Sequence, residues 1–383
     1  MCDRDGMIHT RGLTRHFITK DHVVEAVRGI DVDVSEGELV AFLGPNGAGK
    51  STTLRMLTTL LRPTSGTARV AGCDVVDDPE GVRRRIGFIG QGNGASHNQR
   101  VRDELVNQGR CYGLARGEAG ERADELMASL DLSPLAGRVV KTLSGGQRRR
   151  LDVAIGMVHR PGLLFLDEPS TGLDPQNRAN LKELIERLRV EHGTTIVLTT
   201  HYLDEADSLA DRVVVIDHGR VIADGTPEHL KSDLVGDRLV LTAVDEPGAA
   251  LVAAAVERLA EPLRVQVTGA VVDARVRGAT TLAPALLRHL DAAGVAIAAA
   301  EVSRATLDDV FLTLTGRSLR ESAVADPDEP TGPEPAGDRV PTLDDLPSSD
   351  GITTAATDHT APTGHMAPTD PAGTTDPALL EAS

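Results

Sequence analysis

Leu39-Val40-Ala41-Phe42-Leu43-Gly44-Pro45-Asn46-Gly47-Ala48-Gly49-Lys50-Ser51-Thr52 decides the fold. The apolar run Leu39 to Leu43 reads as a strand that ends at a glycine loop. Gly44 to Ser51 satisfies G-x-x-x-x-G-K-[ST], and Ser51 to Leu61 has helical spacing, closed by the turn residues Arg62-Pro63-Thr64-Ser65-Gly66. Strand, glycine loop and helix together form the context in which this pattern holds phosphate. Glycines let the backbone curl so that successive N–H groups face phosphate oxygens, and the helix that follows adds the positive end of its dipole. Lys50 brings a compact charge to the β- and γ-phosphates, and Ser51 a hydroxyl for Mg²⁺. The chain has only five lysines against 35 arginines, so a lysine at this point is informative, because an arginine would not serve equivalently.

Two further stretches extend the reading downstream. Leu163-Leu164-Phe165-Leu166 reads as a fully buried parallel strand, and Asp167-Glu168 follows it directly. Asp167 would leave the carboxyl edge of that strand beside the phosphate loop, placed to hold Mg²⁺. Glu168 is suited to polarise an attacking water as general base. Upstream, Leu143-Ser144-Gly145-Gly146-Gln147 opens a helix, and a Ser-Gly-Gly helix N-terminus is an anion site.

Asn177 to Val190 reads as helix, Thr195 to Thr200 as strand, Leu203 to Leu209 as helix and Val213 to Ile216 as strand, so the core is α/β with a largely parallel sheet. Residues 92–142 are helical and charged, which predicts a helical subdomain inserted in that core. After about Leu230 the pattern changes to βαββαβ over residues 236–317, a small ferredoxin-like α+β domain. From residue 318 to 383 the chain turns to Pro, Thr, Asp, Ala and Gly, and residues 321–383 hold 13 Asp or Glu against the single Arg339. Such a tail buries too little apolar surface to offset its ordering entropy and is expected to be disordered.

The acidic tail carries most of the formal charge of −17, and the nearly balanced body argues against a nucleic-acid binder. Cys2, Cys73 and Cys111 are scattered, with neither a disulfide framework nor a zinc pattern, which fits a reduced, cytosolic compartment. No stretch approaches 18 consecutive apolar residues and the N-terminus has no signal-peptide core, so any role at a membrane is expected from outside the lipid.

Phosphate loop, LSGGQ and Asp167-Glu168, in this order, resemble the ATP-binding cassette (ABC) family over roughly residues 7–235. The resemblance implies a P-loop NTPase cassette in which two chains face each other head to tail around two ATP molecules. Each chain then supplies Gly44, Pro45, Asn46, Gly47, Ala48, Gly49, Lys50, Ser51 and Thr52 to one nucleotide. Ser144, Gly145, Gly146 and Gln147 serve the γ-phosphate held by the other chain. It further implies a Q-loop role for Gln91 at Mg²⁺ and toward a membrane partner, and a coupling loop Thr171-Gly172-Leu173-Asp174. His201 would contact the γ-phosphate and Phe17 would stack on adenine. Mg²⁺ would be held by Ser51, Gln91 and Asp167.

Met56 to Gly72, Val82 to Gly87, Gln147 to Asp152 and the C-terminal Thr306-Leu307-Asp308-Asp309-Val310-Phe311-Leu312 narrow the resemblance to the daunorubicin-resistance branch of drug-export ATPases. That branch implies a peripheral subunit on the cytoplasmic membrane face, driving efflux of a drug or other amphiphile through a separate permease. Gly92-Asn93-Gly94-Ala95-Ser96-His97-Asn98-Gln99-Arg100 departs from the branch pattern, in the segment expected to face the permease. Export of a lipid or polysaccharide, an importer role, and a soluble ABC ATPase outside transport remain alternatives. A single cassette and the absence of a basic stripe argue against the last.

Overall fold

The phosphate loop, Glu168, His201 and Gln91 follow strands that end at the same edge of one sheet, whose inner strands are buried along their whole length. The computed structural model describes residues 6–18, 22–92 and 94–318. The chain divides at Gly332 into two units, and every described residue lies in the first. The central sheet runs Arg220–Gly225, Arg212–Asp217, Leu39–Leu43, Thr195–Thr200, Leu163–Asp167, Ile86–Ile89. Its last five strands pair parallel, and Arg220–Gly225 is antiparallel at one edge. Leu39–Leu43, Thr195–Thr200 and Leu163–Asp167 are buried at every position, as strands covered on both faces must be.

The N-terminal strands form a separate antiparallel sheet, Val23–Ile30, Ile8–Ile18, Ser65–Val70 and Cys73–Asp74, with Asp33–Val34 attached to Ile8–Ile18. Lys50–Leu57 is shorter than the helix expected over Ser51 to Leu61: Thr59 adopts φ 63, a left-handed conformation that an α-helix cannot continue through. The inserted helical region contains Val101–Cys111 and Arg116–Ser129 with two short 3₁₀ turns, Ser133–Leu135 and Val140–Thr142. Gly145–Met157 follows, opened by a capping box between Ser144 and Gln147.

The expected βαββαβ order is present as Asp237–Ala243, Glu246–Ala260, Arg264–Thr268, Val271–Val276, Ala279–Ala292 and Ile297–Ser303. The sheet order places the last strand beside the first and the third strand between the first and second, all antiparallel, as in ferredoxin-like folds. Leu239, Leu241, Val252, Val256, Val272 and Leu286 form its own core. The helix Leu307–Thr315 leaves this core altogether. Leu307, Val310 and Phe311 are buried in the same cluster as Leu39, Leu164 and Leu198, so the C-terminal motif is a return onto the core of the central sheet. Phe311→Ala should therefore weaken that core, by about 3–5 kcal/mol in urea-induced unfolding. A variant as stable as the parent would show that the helix is not docked. Of the expected tail, only Ser318 falls within the described residues.

Candidate active site

In open α/β sheets ligands bind beyond the carboxyl ends of the strands. Here four neighbouring strands end at that edge, and each delivers one candidate group. Leu39–Leu43 runs into the phosphate loop, Thr195–Thr200 into His201, Leu163–Asp167 into Glu168 and Ile86–Ile89 toward Gln91. A cleft of about 360 Å³ opens there, lined by Asn46, Gly47, Ala48, Gly49, Lys50, Ser51, Thr52, Gln91 and Glu168.

Close backbone approach dictates two of the loop's glycines. A Cβ on Gly44 would stand 2.1 Å from the Ile216 carbonyl oxygen, and one on Gly49 would stand 2.5 Å from that of Ala26. Gly49, at φ 100, is the N-cap of Lys50–Leu57, and no side chain caps the helix. Its first amides therefore remain available to an anion at the positive end of the helix dipole.

Lys50 is buried at 4% exposure. Its Nζ donates to the carbonyls of Gly44 (2.8 Å) and Pro45 (2.9 Å) and stands 3.8 Å from Glu168 Oε1. Burial pulls the Lys50 pKa below the usual lysine value, against the opposing pull of Glu168 and Asp167. Ser51 Oγ donates to Asp167 Oδ1 at 2.8 Å, and Thr199 Oγ1 donates to the same oxygen at 2.7 Å. Thr199 is the register partner of Asp167 across the parallel pair, and its hydroxyl also accepts the Glu168 N–H at 2.9 Å.

Glu168 has φ 44, a left-handed conformation that costs a non-glycine residue energy and collects at functional sites. Thr171 Oγ1 donates to its Oε2 at 3.1 Å. His201 Nδ1 lies 3.4 Å from the same oxygen, within ion-pair reach but without the alignment of a hydrogen bond, so this buried nitrogen has no hydrogen-bond partner. Burial alone would push the Glu168 carboxyl up. His201, Lys50 and Thr171 outweigh it and hold the group below the ordinary glutamate value, hence ionised at neutral pH.

Other expected residues stand elsewhere. Ser144, Gly145, Gly146 and Gln147 do not line the cleft: the Ser144 hydroxyl accepts the Gln147 N–H at 3.3 Å, and Gln147 Oε1 accepts the Ser144 N–H at 3.1 Å. A Cβ on Gly146 would meet Asn177 Oδ1 at 2.1 Å, so Pro175–His192 abuts this end of the helix. Asp174 caps Pro175–His192 through the Asn177 N–H at 2.9 Å and is likewise outside the cleft. Phe17, on Ile8–Ile18, is half-buried under the Arg15 guanidinium, whose Cζ is 4.7 Å from the ring centroid, and does not line the cleft. Thr199 is the residue that the reading of the sequence missed. Its sequence signal is weak: it is one of three threonines in Thr195–Thr200, two residues before His201.

A family model described as ABC transporter matches residues 27–171, and the chain belongs to that family of ATP-binding ATPases. It is 43% identical over 329 residues to the daunorubicin/doxorubicin resistance ATP-binding protein DrrA of Streptomyces peucetius, covering 82% of this chain and 96% of DrrA. Nod factor export ATP-binding protein I of Cupriavidus metallidurans is 38% identical over 307 residues, covering 79% and 95% respectively. Among solved structures, the dimeric structure of MJ0796, a bacterial ABC transporter cassette, superposes with a TM-score of 0.53. It is 25% identical and covers 57% of this chain and 98% of its own.

Proposed function

We propose that this chain is the ATP-hydrolysing subunit of an exporter, closing as a dimer around two ATP molecules to drive efflux of a drug or other amphiphile through a separate permease. The observation that carries the catalytic half is Glu168, ionised and held between Lys50, Thr171 and His201 at the mouth of the phosphate loop. Residues 7–235 act as the ATP-binding domain and 236–317 as an attached small domain.

Lys50 and the open amides after Gly49 hold the phosphates, and their fixed dipoles oppose the charge that spreads over the transferring phosphoryl. The oxygens of Ser51 and Asp167, already paired, with Gln91 lining the same cleft as Ser51, suit a hard cation such as Mg²⁺. Bound there, Mg²⁺ would neutralise charge on the β- and γ-oxygens. Glu168 orients a water and takes its proton, and His201 holds the γ-phosphate side. Ser144 to Gln147 and Asp174 stand outside their own chain's cleft, where they are free to face the nucleotide of a second copy; Phe17 supplies an aromatic face to adenine.

Export rather than import is supported by the likeness to DrrA across nearly the whole of that protein. The likeness to DrrA, named as an ATP-binding protein, supports a separate permease and a peripheral place for this chain at the membrane's cytoplasmic face; among the described residues no helix is long and apolar enough to cross a membrane. A relative named for Nod factor export shows that related cassettes serve other cargo, which keeps lipid or polysaccharide export as the second reading.

Accumulation of a fluorescent anthracycline in cells carrying this chain and its membrane partner tests the proposal. Wild type should lower accumulation and Glu168→Gln should not. Equal accumulation with both proteins expressed and associated would move the cargo to another class.

A further inference from the structure

Arg149 and Asp152 are among the few charged side chains buried in the core, at 7% and 4% exposure, and neither belongs to the cleft just described. They stand three residues apart on Gly145–Met157, and so on one face of it. Arg149 Nε donates to the carbonyl of Pro169 at 3.0 Å, and its Nη1 donates to the carbonyl of Gly90 at 2.7 Å. Its Nη2 is buried without a hydrogen-bond partner, so the guanidinium is committed to the interior and not to solvent. Asp152 Oδ1 accepts the N–H of Gly94 at 3.0 Å and that of Ala95 at 3.3 Å.

These four backbone groups are not scattered. Gly90 immediately precedes Gln91, and Gly94 and Ala95 follow it, so the two side chains grip the Gln91 loop on both sides. Pro169 immediately follows Glu168. The helix that carries both side chains lies directly on the strand leading to Gln91: a Cβ on Gly87 would stand 2.4 Å from the Gly156 carbonyl oxygen, and one on Gly156 would stand 3.1 Å from Ile89 Cγ1. Close-packed elements of this kind transmit displacement to one another.

We infer that Arg149 and Asp152 are positioning residues for ATP hydrolysis, a two-point strut that fixes Gln91 and Glu168 relative to each other and to the Ser144 end of the same helix. The inference rests on the roles given above to Gln91 and Glu168. The planar guanidinium holds the two carbonyls, at the ends of adjacent strands, through separate donors in a fixed geometry that a lysine ammonium on its flexible stem does not reproduce. Displacement of the Ser144 end, or of the loop after Gln91, is therefore transmitted to both reacting-side groups.

The test is steady-state ATP hydrolysis by the purified full chain. Arg149→Lys keeps the charge but not the fork, and should lower kcat about ten- to hundredfold, as a small misplacement near reacting groups does, while KM for ATP stays at the parent value. Asp152→Ala should lower kcat in the same way, and Asp152→Asn, which keeps the acceptor oxygen, should restore it. Parent-like kcat in Arg149→Lys and Asp152→Ala overturns the strut. So does a loss of kcat matched by an equal rise in KM and a lower melting temperature, which would make the pair a prop for the fold alone. Should Arg149→Lys fail to fold, equal rates for Asp152→Ala and Asp152→Asn overturn it. Glu168→Gln, assayed alongside, separates the two failures. If it is inactive while Arg149→Lys is normal, only the strut falls; if it hydrolyses ATP normally, the site assignment beneath it falls.

Discussion

Lys50→Ala is expected to lower kcat/KM for ATP by about 10²–10³, the loss seen when one preorganised donor to developing charge is removed. Two effects combine. The carbonyls of Gly44 and Pro45 lose their donor, so the loop that presents its amides to phosphate loses the contact that shapes it. Glu168 also loses the cation 3.8 Å away that helps to keep it ionised in a buried site. The first effect weakens nucleotide binding and the second weakens chemistry, so both a fluorescent-nucleotide titration and phosphate release should register the change. Lys50→Arg should not rescue it, because a guanidinium does not reproduce the compact, buried ammonium that donates to both loop carbonyls. Turnover within about threefold of wild type, far less than such a donor is worth, would remove Lys50 from the site.

Glu168→Gln is expected to separate binding from turnover. The amide keeps the size of the side chain and an acceptor for the Thr171 hydroxyl, but it cannot take a proton from water. It also removes a negative charge from the mouth of the loop, where an ATP γ-phosphate would otherwise meet repulsion. ATP binding should therefore be kept or strengthened, while hydrolysis falls by about 10²–10⁴, the usual span for loss of a general base. Parent-like hydrolysis would assign proton acceptance to another group, and His201, 3.4 Å away, would be the first to substitute.

Local pattern sufficed for much of this molecule. The run Leu39 to Leu43, the glycines after it and the pair Asp167-Glu168 could be placed from sequence, because a buried parallel strand and a tight phosphate loop each require particular residues in consecutive order. The βαββαβ order was legible from the alternation of short strand and helix patterns, despite the Ala-rich strand Ile297–Ser303. What escaped depends on pairing across the sheet or on depth. Thr199 matters because register sets it opposite Asp167, which no single segment encodes. Nothing in Arg148-Arg149-Arg150 singles out its middle member, and only packing buries Arg149 against the carbonyls of Gly90 and Pro169. The helix Leu307–Thr315 was recognisable as a motif, but its docking on the nucleotide-binding core, beyond the intervening domain, is a tertiary fact.

In the proposed dimer one chain builds half of each ATP site and a second copy completes it. The most direct test of this is the mass of the Glu168→Gln chain in solution, by light scattering, in ATP with Mg²⁺. The chain of 40.4 kDa should double in mass with ATP and not with ADP. Adding Ser144→Arg should abolish the doubling while each chain still binds ATP, because Ser144 stands outside its own cleft. A single-chain mass at saturating ATP, or doubling indifferent to Ser144, would contradict the composite site.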